Sequence, residues 1–189
     1  MLKRFLPWLM IASMLRSTPA PAAKLSGGDS PTLPLELVLR ADRKVYRMSD
    51  TLKLEAQLKN IGDKNVFIWE RDMCWNPAHG LSMKIIGADG KYVQGSFLLD
   101  SVPPPPSSGN SYQFVKLAPE MFFGRADEFK LSNLVIKPGE YDVSATFSSF
   151  LSSRWLANEF GNDPISKGSV WTMERPVITS KRIHIVVNP

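Results

Sequence analysis

Apolar and polar residues alternate with a period of two along much of this chain. Leu52, Leu54, Ala56 and Leu58 interleave with Lys53, Glu55, Gln57 and Lys59. A strand over that stretch has one dry face and one wet face. The same period sets Tyr141, Val143, Ala145 and Phe147 against Asp142, Ser144, Thr146 and Ser148. In the closing run from Val177 to Val187 it turns Ile183, Ile185 and Val187 inward and His184 outward. Leu33, Leu35, Leu37 and Leu39 predict a first strand, and Tyr112 to Leu117 and Met121 to Leu131 two less regular ones. Val66 to Trp69 is apolar on both faces, as a central or covered strand must be. Leu81 to Ile86 and Tyr92 to Leu98 flank Ala88-Asp-Gly90, a hairpin signal.

Breakers and polar clusters divide these runs. Asn60-Ile-Gly-Asp63 predicts a turn, and residues 71–80 a loop holding Cys74, Trp75, Pro77 and His79. Pro103 to Pro106 cannot join a hydrogen-bonded ladder and predicts an extended polyproline crossing. Leu151 to Arg175 reads as a long insertion before the last strand, with helical turns over Ser153 to Phe160. Roughly eight or nine short strands with turns between them predict an all-β sandwich. If successive strands alternate direction, the Cys74–His79 loop, the proline crossing and Pro138-Gly139 gather at one end. The insertion then caps the other end, beside Gly62.

The amino-terminus changes the charge picture. Lys3 and Arg4 precede an apolar run from Phe5 to Leu15, followed by Ala20-Pro21-Ala22. Charge, apolar run and small residues in that order predict a secretory signal over 1–22. The run is too short for a bilayer-spanning helix. A linker over 23–32 and a domain over 33–189 follow. Loss of Lys3, Arg4 and Arg16 takes the formal net charge from +5 to +2. The remaining Lys and Arg are scattered among acids, which argues against a nucleic-acid footprint. Cys74 is the sole cysteine, so an exported chain of this kind has no internal disulfide framework.

Leu134-Val-Ile-Lys-Pro-Gly-Glu-Tyr141 followed by strict alternation resembles the tyrosine corner of immunoglobulin-like sandwiches. The early Leu-x-Leu-x-Leu strand, the Tyr46 to Asp50 turn and the Leu-x-Leu-x-Ala-x-Leu-x-Asn strand extend the likeness over about 33–188. Together they resemble bacterial extracytoplasmic immunoglobulin-like domains. Among these the chain is similar to the domain named for an intracellular proteinase inhibitor from Bacillus. The resemblance implies an immunoglobulin-like antiparallel β-sandwich that binds, spaces or supports other proteins.

Candidate chemistry is sparse. The chain has two histidines, His79 and His184, and lacks a Gly-x-Ser-x-Gly elbow, a His-Glu-x-x-His pair and a phosphate-cradling glycine loop. The expectation is therefore a non-enzymatic module without a cofactor. Trp155, Phe160 and Trp171 lie in the insertion, where loops favour polar residues; they either form a partner surface or cap the sandwich. Met73, Cys74, His79 and Met83 lie within one short stretch and combine soft sulfur with imidazole, the donor set Cu(I) prefers. The expected role is a secreted or periplasmic binding module with another envelope or extracellular protein as partner, and no stable membrane span. Copper handling and proteinase inhibition are the alternatives.

Overall fold

The computed structural model describes residues 34–75, 80–93, 106, 113–134, 137–161 and 169–189. The signal, the linker, Leu33, Pro77, His79, the 94–98 arm of the hairpin, Pro103 to Pro105 and Tyr112 lie outside them. Pro106, alone of the proline run, is described, and it is buried.

The strands are β1 (Leu35–Ala41), β2 (Val45–Arg47), β3 (Thr51–Asn60), β4 (Val66–Trp69), β5 (Gly80–Gly87) and β6 (Tyr92–Val93). After them come β7 (Phe114–Leu117), β8 (Phe122–Lys130), β9 (Gly139–Ser148), β10 (Ser169–Val170), β11 (Ile178–Thr179) and β12 (Ile183–Asn188). An α-helix, α1 (Ser153–Phe160), interrupts them. Each long alternating run forms its strand with the expected face inward: Leu52, Leu54, Ala56 and Leu58 are buried on β3, and Tyr141, Val143, Ala145 and Phe147 on β9.

One sheet has the order β1-β3-β8 and a second β2-β12-β9-β5-β6. Their inner faces share a single core, with Leu37, Leu54 and Leu58 from the first and Leu81, Val143, Phe147 and Ile185 from the second. That is a sandwich, closed by burial of two apolar faces against each other. Its strand order is immunoglobulin-like. β1, β3 and β8 take the A, B and E positions, and β12, β9 and β5 take G, F and C. Tyr141, near the start of β9, is buried and donates its hydroxyl to the Lys137 carbonyl at 2.5 Å. The tyrosine corner is present where the Pro138-Gly139 sequence puts it.

Three features depart from a simple antiparallel alternation. β2 leaves the sheet of β1 and runs parallel to β12. The closing run is two strands, because Ser180 interrupts it. Its amide bonds the Ala145 carbonyl while its hydroxyl accepts from the Ala145 amide. β4 does not pair with β3 either; it is central in a third small sheet, β10-β4-β7, parallel to β10.

This last departure overturns the expected arrangement of ends. Gly80, entering β5, pairs with Ser148, whereas Gly87 pairs with Tyr141. The loop after Cys74 therefore reaches the sandwich at the insertion end, the full length of β9 away from Pro138-Gly139. Two apolar faces on β4 showed that it is covered, but not by what. The insertion does lie beside the Gly62 turn, where Pro34, Lys64, Val66, Val170, Trp171 and Arg175 line a hollow of about 170 Å³.

Candidate functional site

The insertion builds a core of its own. Ser152 caps α1, its hydroxyl accepting from the Trp155 amide at 3.1 Å, which satisfies one free amine-end donor of the helix. Leu156 and Phe160, four residues apart, then share a face and pack with Trp69, Phe114, Leu151 and Val170. Phe160 meets Phe114 edge-on at 5.6 Å. Trp171 belongs to the main core and is 2% exposed. Of the three insertion aromatics, Phe160 and Trp171 are thus inside, and Trp155 is half-buried against Phe160. They do not assemble an open partner surface. Chain outside regular sheet needs apolar burial to be ordered, and these side chains supply it for the described part of the insertion.

The sulfur-rich stretch is divided in the same way. Met73 and Met83 are buried in the main core, so their thioethers serve packing. Cys74 is half-buried, with Sγ 3.2 Å from Arg125 Nη1. His79 falls outside the described residues. Among the described residues no three His, Cys, Asp or Glu side chains are grouped to hold a metal ion.

Next to Met73 is a residue that hydrophobic alternation does not mark. Asp72, on the short 3-10 turn Glu70–Met73, is fully buried. Burial pushes its carboxyl up to about 7, while the Ser149 hydroxyl and the Phe150 amide pull the other way. Neither carboxylate oxygen completes a hydrogen bond of ordinary geometry. Gly80 closes this turn at φ +74°, where a Cβ would stand 2.5 Å from the Asp72 carbonyl oxygen.

The outer face of the second sheet is where exposed chemistry gathers. Register places Tyr92 opposite Ile86, Ile86 opposite Asp142, and Asp142 opposite His184. Directly opposed residues share a face, so these four form one row across β6, β5, β9 and β12. Tyr92 is 54% exposed. His184 Nδ1 lies 3.2 Å from Asp142 Oδ1, and its Nε2 lies 3.9 Å from Glu140 Oε2. Arg182 Nη1 approaches the other Asp142 oxygen at 3.9 Å. Glu140, Asp142, Arg182 and His184, with Ile86, Gly87, Ala88, Gly90 and Tyr141, line an open groove of about 350 Å³, and Tyr92 stands on the same face outside that lining. Sequence alternation put Asp142 and His184 outward but could not show them adjacent, because neither strand alone reveals its partner or register.

No family model and no curated protein matches the chain. Among solved structures, the CARDB domain of a Pyrococcus furiosus protein, crystallised with di-metal ions, aligns over 81% of this chain and 91% of its own. Identity is 11% and the TM-score 0.36. A β-glucosidase from Erythrobacter marinus aligns over 82% of this chain at 12% identity and TM-score 0.36. One from Listeria innocua does so at 12% and 0.32. The aligned part is 15% and 16% of those two enzymes. The immunoglobulin-like architecture stands on strand order and the tyrosine corner.

Proposed function

We propose that this chain is an exported, non-enzymatic immunoglobulin-like module that binds another protein of the cell envelope or its surroundings. The observation that carries this reading is the open groove on the β6-β5-β9-β12 face. There, exposed aromatic, carboxylate, imidazole and guanidinium groups stand on paired strands, a rigid base for recognition. Export rests on the order of charge, apolar run and small residues over 1–22. No helix among the described residues is long and apolar enough to cross a membrane. Copper handling has less support, since Met73 and Met83 are occupied in the core, and no observation favours proteinase inhibition.

A photo-crosslinking residue at Tyr92 tests the binding role in envelope extracts. The expected result is a discrete adduct lost on mutation of Asp142 and His184. An equal yield of adducts from a crosslinker at Lys53, on the other sheet, refutes the assignment to this face.

A further inference from the structure

The groove is not balanced in charge. Glu140 and Asp142 stand two residues apart on β9 and project from the same side of the sheet. Among the described residues lining the groove with them, Arg182 is the one fixed cation, and it stands 3.9 Å from Asp142. Glu140 has less to hold it. Its side chain is 64% exposed, and the His184 ring nitrogen, at 3.9 Å, is beyond hydrogen-bond reach. The neighbouring wall is Gly87, Ala88 and Gly90, whose own side chains are no larger than a methyl group, with Tyr141 beside them and the Asp89 carboxylate close to Gly87. Ile86 and then Tyr92 continue the same row away from the carboxylates, an apolar strip leading to an anionic end.

We infer that the groove accepts a lysine or arginine side chain from an extended segment of a partner protein. The cation sits at Glu140, with Asp142 beside it, and its alkyl stem lies along Ile86 toward Tyr92. Long basic side chains bury their stems on apolar surface while the charged head meets an acid. Glu140 and Asp142 repel an acidic side chain, and Arg182, 3.9 Å from Asp142, offsets only part of that field, so the groove discriminates by charge. This inference rests on the binding role proposed above for the face.

The experiment is a titration of the labelled full-length mature protein with blocked pentapeptides carrying a central lysine or a central glutamate, read by amide chemical shifts. The lysine peptide is expected to move the amides of Ile86, Glu140, Asp142 and His184, and more weakly as salt is added. Glu140→Gln should reduce its affinity about two- to fivefold, the range for an exposed ion pair. Equal shifts with the glutamate peptide, or an affinity unchanged in Glu140→Gln, overturn the inference. The Tyr92 crosslinker separates the two proposals. An adduct that forms equally well in Glu140→Gln leaves the binding face standing and removes the basic partner; no adduct at all removes both.

Discussion

Tyr141 and Asp72 stand near opposite ends of β9 and meet burial in opposite ways. The Tyr141 hydroxyl finds a backbone acceptor four residues back, the Lys137 carbonyl. Tyr141→Phe should cost about 1 kcal/mol in urea unfolding, the net worth of one such bond. This residue was legible because a local sequence, Pro-Gly-x-Tyr, encodes both the turn and the ring that closes on it. Asp72 was not, since Glu70-Arg-Asp-Met reads as a polar loop, and only Ser149 and Phe150, distant in sequence, reveal the burial. Its raised carboxyl has a signed consequence. Below pH about 4 both folded and unfolded chains hold the proton, and between about 4 and 7 only the folded chain does. Stability from this group is therefore greatest on the acid side and falls as pH rises toward 7, by roughly 2–4 kcal/mol. Asp72→Asn should flatten that part of the profile, so the stability difference between variant and wild type should grow from pH 4 to 8. A difference independent of pH refutes the assignment.

Elements follow the sequence where one strand's own period decides the matter, and depart from it where pairing does. The faces of β1, β3, β9 and β12 and the bounds of α1 are local properties, set by alternation and by the Ser152 cap. The detachment of β4, the crossing of β2 and the break at Ser180 are decided by partners far along the chain. Burial of Phe160 is likewise a property of the small core it shares with Trp69, Phe114 and Leu156, and burial of Trp171 a property of the main core. Phe160→Ala should cost about 3–4 kcal/mol, the range for a large aromatic removed from a packed core. Limited proteolysis should then cut within 151–175 before the sandwich opens. Gly80→Ala forces a Cβ against the Asp72 carbonyl in a left-handed backbone and should destabilise by more than 1 kcal/mol in thermal melts. Ser152→Ala removes the cap of α1 for about 1 kcal/mol.

For the whole molecule, the proposed export rests on the first 22 residues and the architecture on the alternating runs; the proposed binding face emerges only when four strands are in register. Mass spectrometry of the exported form should find the amino-terminus near residue 23, and an intact Met1 in that fraction refutes cleavage. The pairing of β2 with β12 has a mechanical consequence as well. These strands lie close to the two ends of the folded domain and run parallel, tied by Val186 to the Lys44 carbonyl and by Met48 to the Asn188 carbonyl. Tension applied through the two ends pulls parallel neighbours in opposite directions along their length, so the bonds between them are loaded together in shear. An antiparallel pair in that place would unzip one bond at a time. Forced rupture is governed by the unfolding barrier and not by equilibrium stability. A chain held at both ends between a surface and a bound partner would thus resist extension best at its terminal seam.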